Sequence, residues 1–209
     1  MDGVNARYRI VIRTGFRTCM LAVLCLGMFG TALAARFSTV IIDPGHGGRD
    51  KGTYWGGVRE SRLALRVARD LEALLKKRGI RAVMTRRSDV FVSLGRRAAI
   101  ANRYRSAVFV SIHFNASRNT AIKGVETYYW GTRGKVMAGA VQRRLPYRLK
   151  TRNRGIRRKG YTVLLKTRCP AILVECGFIS NRRERMRCST RWYQQTAARA
   201  IYDALMACR

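Results

Sequence analysis

The 209-residue chain predicts an α/β fold, a single domain in which a mainly parallel, twisted sheet carries helices on both faces. Three observations support this. Short runs rich in Val and Ile that barely alternate recur along the chain, as expected of strands buried on both faces. Segments with apolar residues at helical spacing lie between them. No internal repeat or linker divides the sequence into further domains.

Residues 37–43 form the first such strand. Residues 60–78 place Leu63, Val67, Leu71, Leu74 and Leu75 at helical intervals, with Glu60 near the start and Gly79 where a helix end favours glycine. A strand at 80–85, a helix at 94–104 and a strand at 107–112 follow. Residues 124–130 set Val125, Thr127 and Tyr129 against Glu126, Tyr128 and Trp130, the alternation of a further strand. Residues 134–149 read as a helix despite Pro146. Residues 161–165 and 171–176 read as short apolar strands, and 190–207 as a closing amphipathic helix.

The N-terminus has a different character. Arg7, Arg9, Arg13 and Arg17 precede an uncharged stretch from residue 18 to 33, and Ala32-Leu33-Ala34 offers a small-x-small cleavage site. Residues 1–34 therefore read as a secretory signal peptide, leaving 35–209 as the mature domain. The apolar run is shorter than the roughly 20 residues of a spanning helix, so an uncleaved anchor is the lesser reading. Cys25 follows Ala22-Val23-Leu24, without the small residues that usually precede a lipidated cysteine. The mature protein is expected in the periplasm or cell envelope.

The formal charge is +32, and losing four arginines and Asp2 with the leader brings it to about +29. Arginines concentrate at 143–159 and 182–191. Such a charge calls for an anionic partner unless it only solvates the surface. Export directs it to envelope polymers or lipid head groups rather than nucleic acid. Cys169, Cys176, Cys188 and Cys208 remain after cleavage, an even number in an oxidising compartment. Three pairings are open, including one in which Cys188 and Cys208 staple the last helix. With no C-x-x-C pair, a cysteine-only zinc site is disfavoured.

The two histidines, His46 and His113, each end an apolar run, in Val40-Ile41-Ile42-Asp43-Pro44-Gly45-His46 and Val108-Phe109-Val110-Ser111-Ile112-His113. This predicts two imidazoles on loops at strand ends, where open α/β sheets keep their sites. Catalytic zinc takes about three protein ligands and keeps one position open, and His46, Glu60 and His113 supply such a set. Asp43 or Asn115 would orient an imidazole. Glu175 ends the apolar run Ala171-Ile172-Leu173-Val174. A carboxylate buried there needs a partner, either an arginine or a water that it activates as general base. Neither histidine is framed by a nucleophile-elbow sequence, which argues against a serine or cysteine mechanism.

Four separated motifs make the pattern specific. Ile41-Ile42-Asp43-Pro44-Gly45-His46-Gly47-Gly48, Glu60 at a helix start, Ser111-Ile112-His113-Phe114-Asn115-Ala116 and Val174-Glu175-Cys176-Gly177-Phe178-Ile179-Ser180-Asn181 resemble the zinc-dependent N-acetylmuramoyl-L-alanine amidases of the amidase type 3 family. The resemblance extends through Thr85-Arg86, Asp89, Leu94, Arg97, Ala101-Asn102 and Gly124-Val125-Glu126-Thr127-Tyr128-Tyr129. It implies one zinc ion held by His46, Glu60 and His113, with Glu175 as the catalytic glutamate and Asn115 and Glu126 assisting. It also implies hydrolysis of the amide between the lactyl group of N-acetylmuramic acid and L-alanine in peptidoglycan. Ala107, where the family often has aspartate, and Cys169 and Cys176, in place of common apolar residues, depart from the pattern away from the expected metal site. Some secreted members carry an inhibitory helical insertion before the last motif; the interval 134–170 is too short for one, implying an uninhibited core enzyme or control by localisation. A zinc peptidase acting on stem peptides and a charge-driven envelope-binding module are the competing readings.

Overall fold

The computed structural model describes residues 37–209, so the expected leader lies outside the described residues. A six-stranded sheet has the order β4-β1-β5-β8-β6-β7. Its strands are β1 (Thr39–Pro44), β4 (Arg81–Met84), β5 (Ala107–Asn115), β6 (Val125–Trp130), β7 (Asn153–Arg158) and β8 (Ala171–Phe178). Neighbours run parallel except β6 against β8, so the expected mainly parallel sheet is present with one antiparallel pair. A two-stranded hairpin, β2 (Tyr54–Trp55) and β3 (Val58–Arg59), lies apart from it.

Strand pleating divides the core. Val40, Ile42, Val108, Val110, Ile172 and Val174 join the larger cluster, which includes side chains of α1 (Glu60–Lys77), α3 (Gly131–Leu149) and α6 (Arg191–Ala207). Ile41, Phe109 and Leu173 point the other way, into a smaller cluster with Ala101 of α2 (Leu94–Ala101) and Val163 and Leu164 of α4 (Thr162–Leu165). Runs such as Val40-Ile41-Ile42 thus lack polar alternation because both faces are buried.

Local chemistry sets the helix ends. The α1 helix closes with Gly79 at φ +73°, while Gly79 N–H reaches Lys76 O and Ile80 N–H reaches Leu75 O. This paired capping needs a left-handed residue just past the helix. The Ser93 side chain caps α2 by accepting from Arg96 N–H, and Thr190 caps α6 by accepting from Tyr193 N–H. Pro146 is accommodated in α3, which continues to Leu149.

Several expectations are corrected. Residues 161–165 contain the single helical turn α4, not a strand; a five-residue apolar run has no period that separates the two. β5 extends to Asn115, so His113 sits inside the strand instead of on the loop after it. The arginine-rich segment 143–159 holds the end of α3 followed by β7, and the segment 182–191 holds α5 (Arg182–Cys188) and the start of α6. Cys169, Cys176, Cys188 and Cys208 are free thiols. A Cys188–Cys208 staple is excluded by geometry: the 17 residues of α6 between them span about 25 Å, against the roughly 7 Å a disulfide tolerates between Cα atoms. The ends of the described chain meet, with Arg209 Nε donating to Phe37 O at 3.1 Å.

Candidate metal centre

Three strands and one helix start deliver the site. β1 ends at Pro44, and His46 follows on the turn with φ +59°, a left-handed conformation uncommon for a residue with a side chain. Two buried arginines hold that turn. Arg97 donates to Asp43 Oδ1, Pro44 O and His46 O, each at 2.7 Å, and Arg86 donates to Pro44 O at 3.0 Å and Gly45 O at 2.8 Å. Burial, with Arg97 close by, lowers the Arg86 pKa to about 10, which leaves it charged.

His46 Nε2 and His113 Nδ1 converge on Glu60 Oε1 at 3.1 and 2.8 Å. The potential ligand atoms of His46, Glu60 and His113 all lie within 4.8 Å of one another. Each imidazole is fixed from behind, His46 Nδ1 by Asp50 Oδ1 at 2.8 Å and His113 Nε2 by Ser111 Oγ at 3.1 Å. Burial lowers the His46 pKa, but Glu60 and Asp50 outweigh it and the net shift is upward. For Glu60, burial favours the neutral acid, yet His113 and His46 hold the carboxyl far below its usual range.

Glycine makes this convergence possible at two positions. A Cβ on Gly45 would lie 2.3 Å from His113 Cε1, and one on Gly52, at φ +63°, would lie 2.5 Å from His46 Cδ2 and 2.7 Å from Glu60 Oε2. Any larger residue would push into the trio.

Glu175 lines the same cleft, of about 640 Å³, as His46, Glu60 and His113. It is the register partner of His113 on one side and of Glu126 on the other. Its Oε2 is buried with no hydrogen-bond partner among the described residues. Burial, reinforced by Glu60 and Glu126, pushes its pKa well above the ordinary carboxylate range, while Lys159 pulls it down.

The remaining expected residues stand further back. Asp43 touches neither imidazole. Fully buried, it accepts from Thr85 Oγ1, Ser111 Oγ and Arg97, and so acts on His113 through Ser111 and on the His46 turn through Arg97. Asn115 lines the cleft but donates to Glu126 Oε1 at 2.8 Å, not to a histidine. Glu126 also accepts from Tyr128 OH at 2.6 Å. Sequence reasoning missed Asp50 and Ser111 as the imidazole partners. For Asp50 the available signal was an acid four residues after His46 in a glycine-rich turn.

Two imidazole nitrogens and a carboxylate oxygen beside a second, unpartnered carboxylate, at the C-terminal edge of a parallel sheet, are the equipment of a metal-dependent hydrolase. A family model described as N-acetylmuramoyl-L-alanine amidase matches residues 40–207, and the chain belongs to that family. Among curated proteins it is 34% identical over 201 residues to the uncharacterized protein YqiI of Bacillus subtilis, covering 93% of this chain and 97% of that one. It is 34% identical over 173 residues to the N-acetylmuramoyl-L-alanine amidase LytC of Bacillus subtilis, covering 81% of this chain and 35% of LytC, so it spans about a third of that relative. Among solved structures, an N-acetylmuramoyl-L-alanine amidase from Clostridium difficile superposes with a TM-score of 0.78 at 37% identity, covering 82% of this chain and 96% of that one.

Proposed function

We propose that this chain is an exported amidase that hydrolyses the amide between the lactyl group of N-acetylmuramic acid and L-alanine in peptidoglycan. The observation that carries the reading is the His46–Glu60–His113 trio sharing one cleft with the unpartnered carboxylate of Glu175. The donor set fits zinc, with two imidazole nitrogens, one carboxylate oxygen and each ring braced on its outer nitrogen. His46, Glu60 and His113 would hold the zinc ion, which would supply Lewis acidity for the scissile carbonyl and for the attacking water.

The protein's own groups do the rest. Glu175 takes a proton from the attacking water as the carbon–oxygen bond forms, and returns it to the alanine nitrogen as the carbon–nitrogen bond breaks. The products are a muramic carboxylate and a peptide beginning with free L-alanine. Asp43, Arg97 and Arg86 keep the His46 turn in place, and Asp50 and Ser111 keep the rings aimed.

Removal of residues 1–34 and action in the cell envelope complete the proposal; relatives named as probable cell wall amidases support the envelope location. Anionic envelope polymers are the proposed second partner. A groove lined by Lys123, Lys150, Arg152, Arg182, Arg183 and Arg187 supplies the charge.

The test is a digest of purified peptidoglycan by the zinc-loaded and the chelated protein, with products identified by mass spectrometry. Zinc-dependent release of intact peptides beginning with L-alanine is expected. New amines only within stem peptides would identify a peptidase instead, and digestion undiminished after complete chelation would overturn the metal reading.

A further inference from the structure

The groove between the end of α3 and α5 carries charge and exposed apolar surface together. Its cations are unspent. Lys123, Lys150, Arg152, Arg182 and Arg183 line it, and none of them is in an ion pair among the described residues. The one acid in the lining, Glu184, is buried and turned inward, where it accepts from Gly124 N–H at 2.8 Å, Phe178 N–H at 2.7 Å and Thr151 Oγ1 at 2.6 Å. Its charge goes to the fold's own donors.

The same face bears the most exposed apolar side chains of the fold. Tyr147, which lines the groove, is 84% exposed and Met186 is 64% exposed, the two highest values among the described large hydrophobic residues. Helix geometry explains where Met186 stands. In α5 the buried Glu184 and Cys188, four residues apart, define the inner stripe. Met186, midway between them, falls on the opposite side, with Arg182 and Arg183 four and three residues before it. Arg187 ties this helix to the end of α3, its guanidinium donating to Leu149 O and, at 3.3 Å, to Lys150 O. Tyr147 and Met186 therefore stand on two tethered elements beside one set of cations, and neither joins a core cluster.

We infer that this face docks onto a bilayer of anionic lipids, with Tyr147 and Met186 entering the head-group layer while the lysines and arginines meet lipid phosphates. Charge alone would serve a polymer dissolved in water, but it leaves the two apolar side chains without a use. A lipid interface takes both, because aromatic and aliphatic groups settle at head-group depth and long basic side chains reach along them to the phosphates. Each basic side chain held near an anionic leaflet strengthens binding by about fivefold, so a few suffice. The inference rests on the export reading, which brings the chain to a membrane surface, and not on the amide chemistry. A docked molecule would hold its cleft within one molecule's length of the membrane.

The experiment uses zinc-loaded protein beginning at residue 35, since both core clusters and the metal centre lie within residues 37–209 and an apolar leader would bind lipid by itself. Sedimentation with vesicles of phosphatidylcholine alone is compared with sedimentation with vesicles that also contain phosphatidylglycerol, and retention on immobilised polyphosphate is measured in parallel. The anionic vesicles should be preferred by about tenfold or more, with the preference shrinking as salt rises. Tyr147→Ser and Met186→Ser should each weaken vesicle binding by about threefold to tenfold, with polyphosphate retention and peptidoglycan digestion in solution unchanged. Val136→Ser removes an exposed apolar side chain near the other end of α3, about 16 Å away, and should leave vesicle binding as it is. Equal binding to neutral and anionic vesicles, or vesicle binding indifferent to both Tyr147→Ser and Met186→Ser, would overturn the docking. Retention on polyphosphate with no binding to vesicles would also overturn it and leave the groove to a polymer. The amidase reading survives each of these results, because it is decided by the digest.

Discussion

Asp43 and Arg97 form an ion pair sealed inside the protein, Oδ1 to Nη1 2.7 Å, with side chains 0% and 2% exposed. The pair joins the end of β1 to α2, and the same guanidinium holds the carbonyl of His46. Removing one partner strands a buried charge. Asp43→Asn and Arg97→Met should each lower stability by about 3–5 kcal/mol in urea denaturation. Because His46 hangs from this pair, variants that still fold at low temperature should also bind zinc more weakly in a competition titration.

Gly45→Ala tests the packing of the trio. The new Cβ would meet His113 Cε1 at 2.3 Å and Nε2 at 2.5 Å, so the ring must move. The expected outcome is an overpacking cost of about 1–3 kcal/mol and a marked loss of zinc affinity. Gly57→Ala is the control: at φ +79° it bears backbone strain but meets nothing within 4 Å. It should cost about 1 kcal/mol or somewhat more and leave zinc content unchanged.

Glu175→Gln separates chemistry from metal retention. Glutamine keeps the shape of the side chain but cannot carry the proton, so kcat should fall by about 10²–10⁴ with zinc stoichiometry near wild type. His46→Ala should lose both activity and metal. Atomic absorption beside the peptidoglycan digest distinguishes them, and a Glu175→Gln protein with undiminished turnover would remove Glu175 from the reaction.

Acid sensitivity has a contributor far from the cleft. Burial raises the pKa of Glu72, but Arg87 and Lys76 outweigh it and hold the group below its usual 4.5. A folded value below the unfolded one means the contribution is complete above about pH 4.5 and disappears as pH falls through the lower folded value. The gap in unfolding free energy between wild type and Glu72→Gln should therefore be larger at about pH 7 than at about pH 3. Both basic partners are more than half exposed, so the gap should stay below about 1 kcal/mol and narrow in high salt.

The strands that carry the site were the most legible part of the sequence. β1, β5 and β8 are buried along nearly their whole length, and burial on two faces leaves a run of Val and Ile that loops do not produce. β7 was invisible for the opposite reason. It is an edge strand whose six residues include three arginines, and charge on an edge is what discourages further pairing. His46, Glu60, His113 and Glu175 were readable because ionisable groups beside apolar runs demand an explanation. Their supports were not: Asp50 and Ser111 are ordinary polar residues until folding turns them towards an imidazole, and Asp43 reaches the site only through Ser111 and Arg97.

The bond between Arg209 and the carbonyl of Phe37 brings entry and exit to one spot on the surface. A domain with adjoining ends can be spliced into a longer polypeptide, or given neighbours on either side, without stretching its sheet. A circularly permuted version, with a short Gly-Ser bridge joining the two ends and new termini opened in an exposed turn, should fold and keep its zinc.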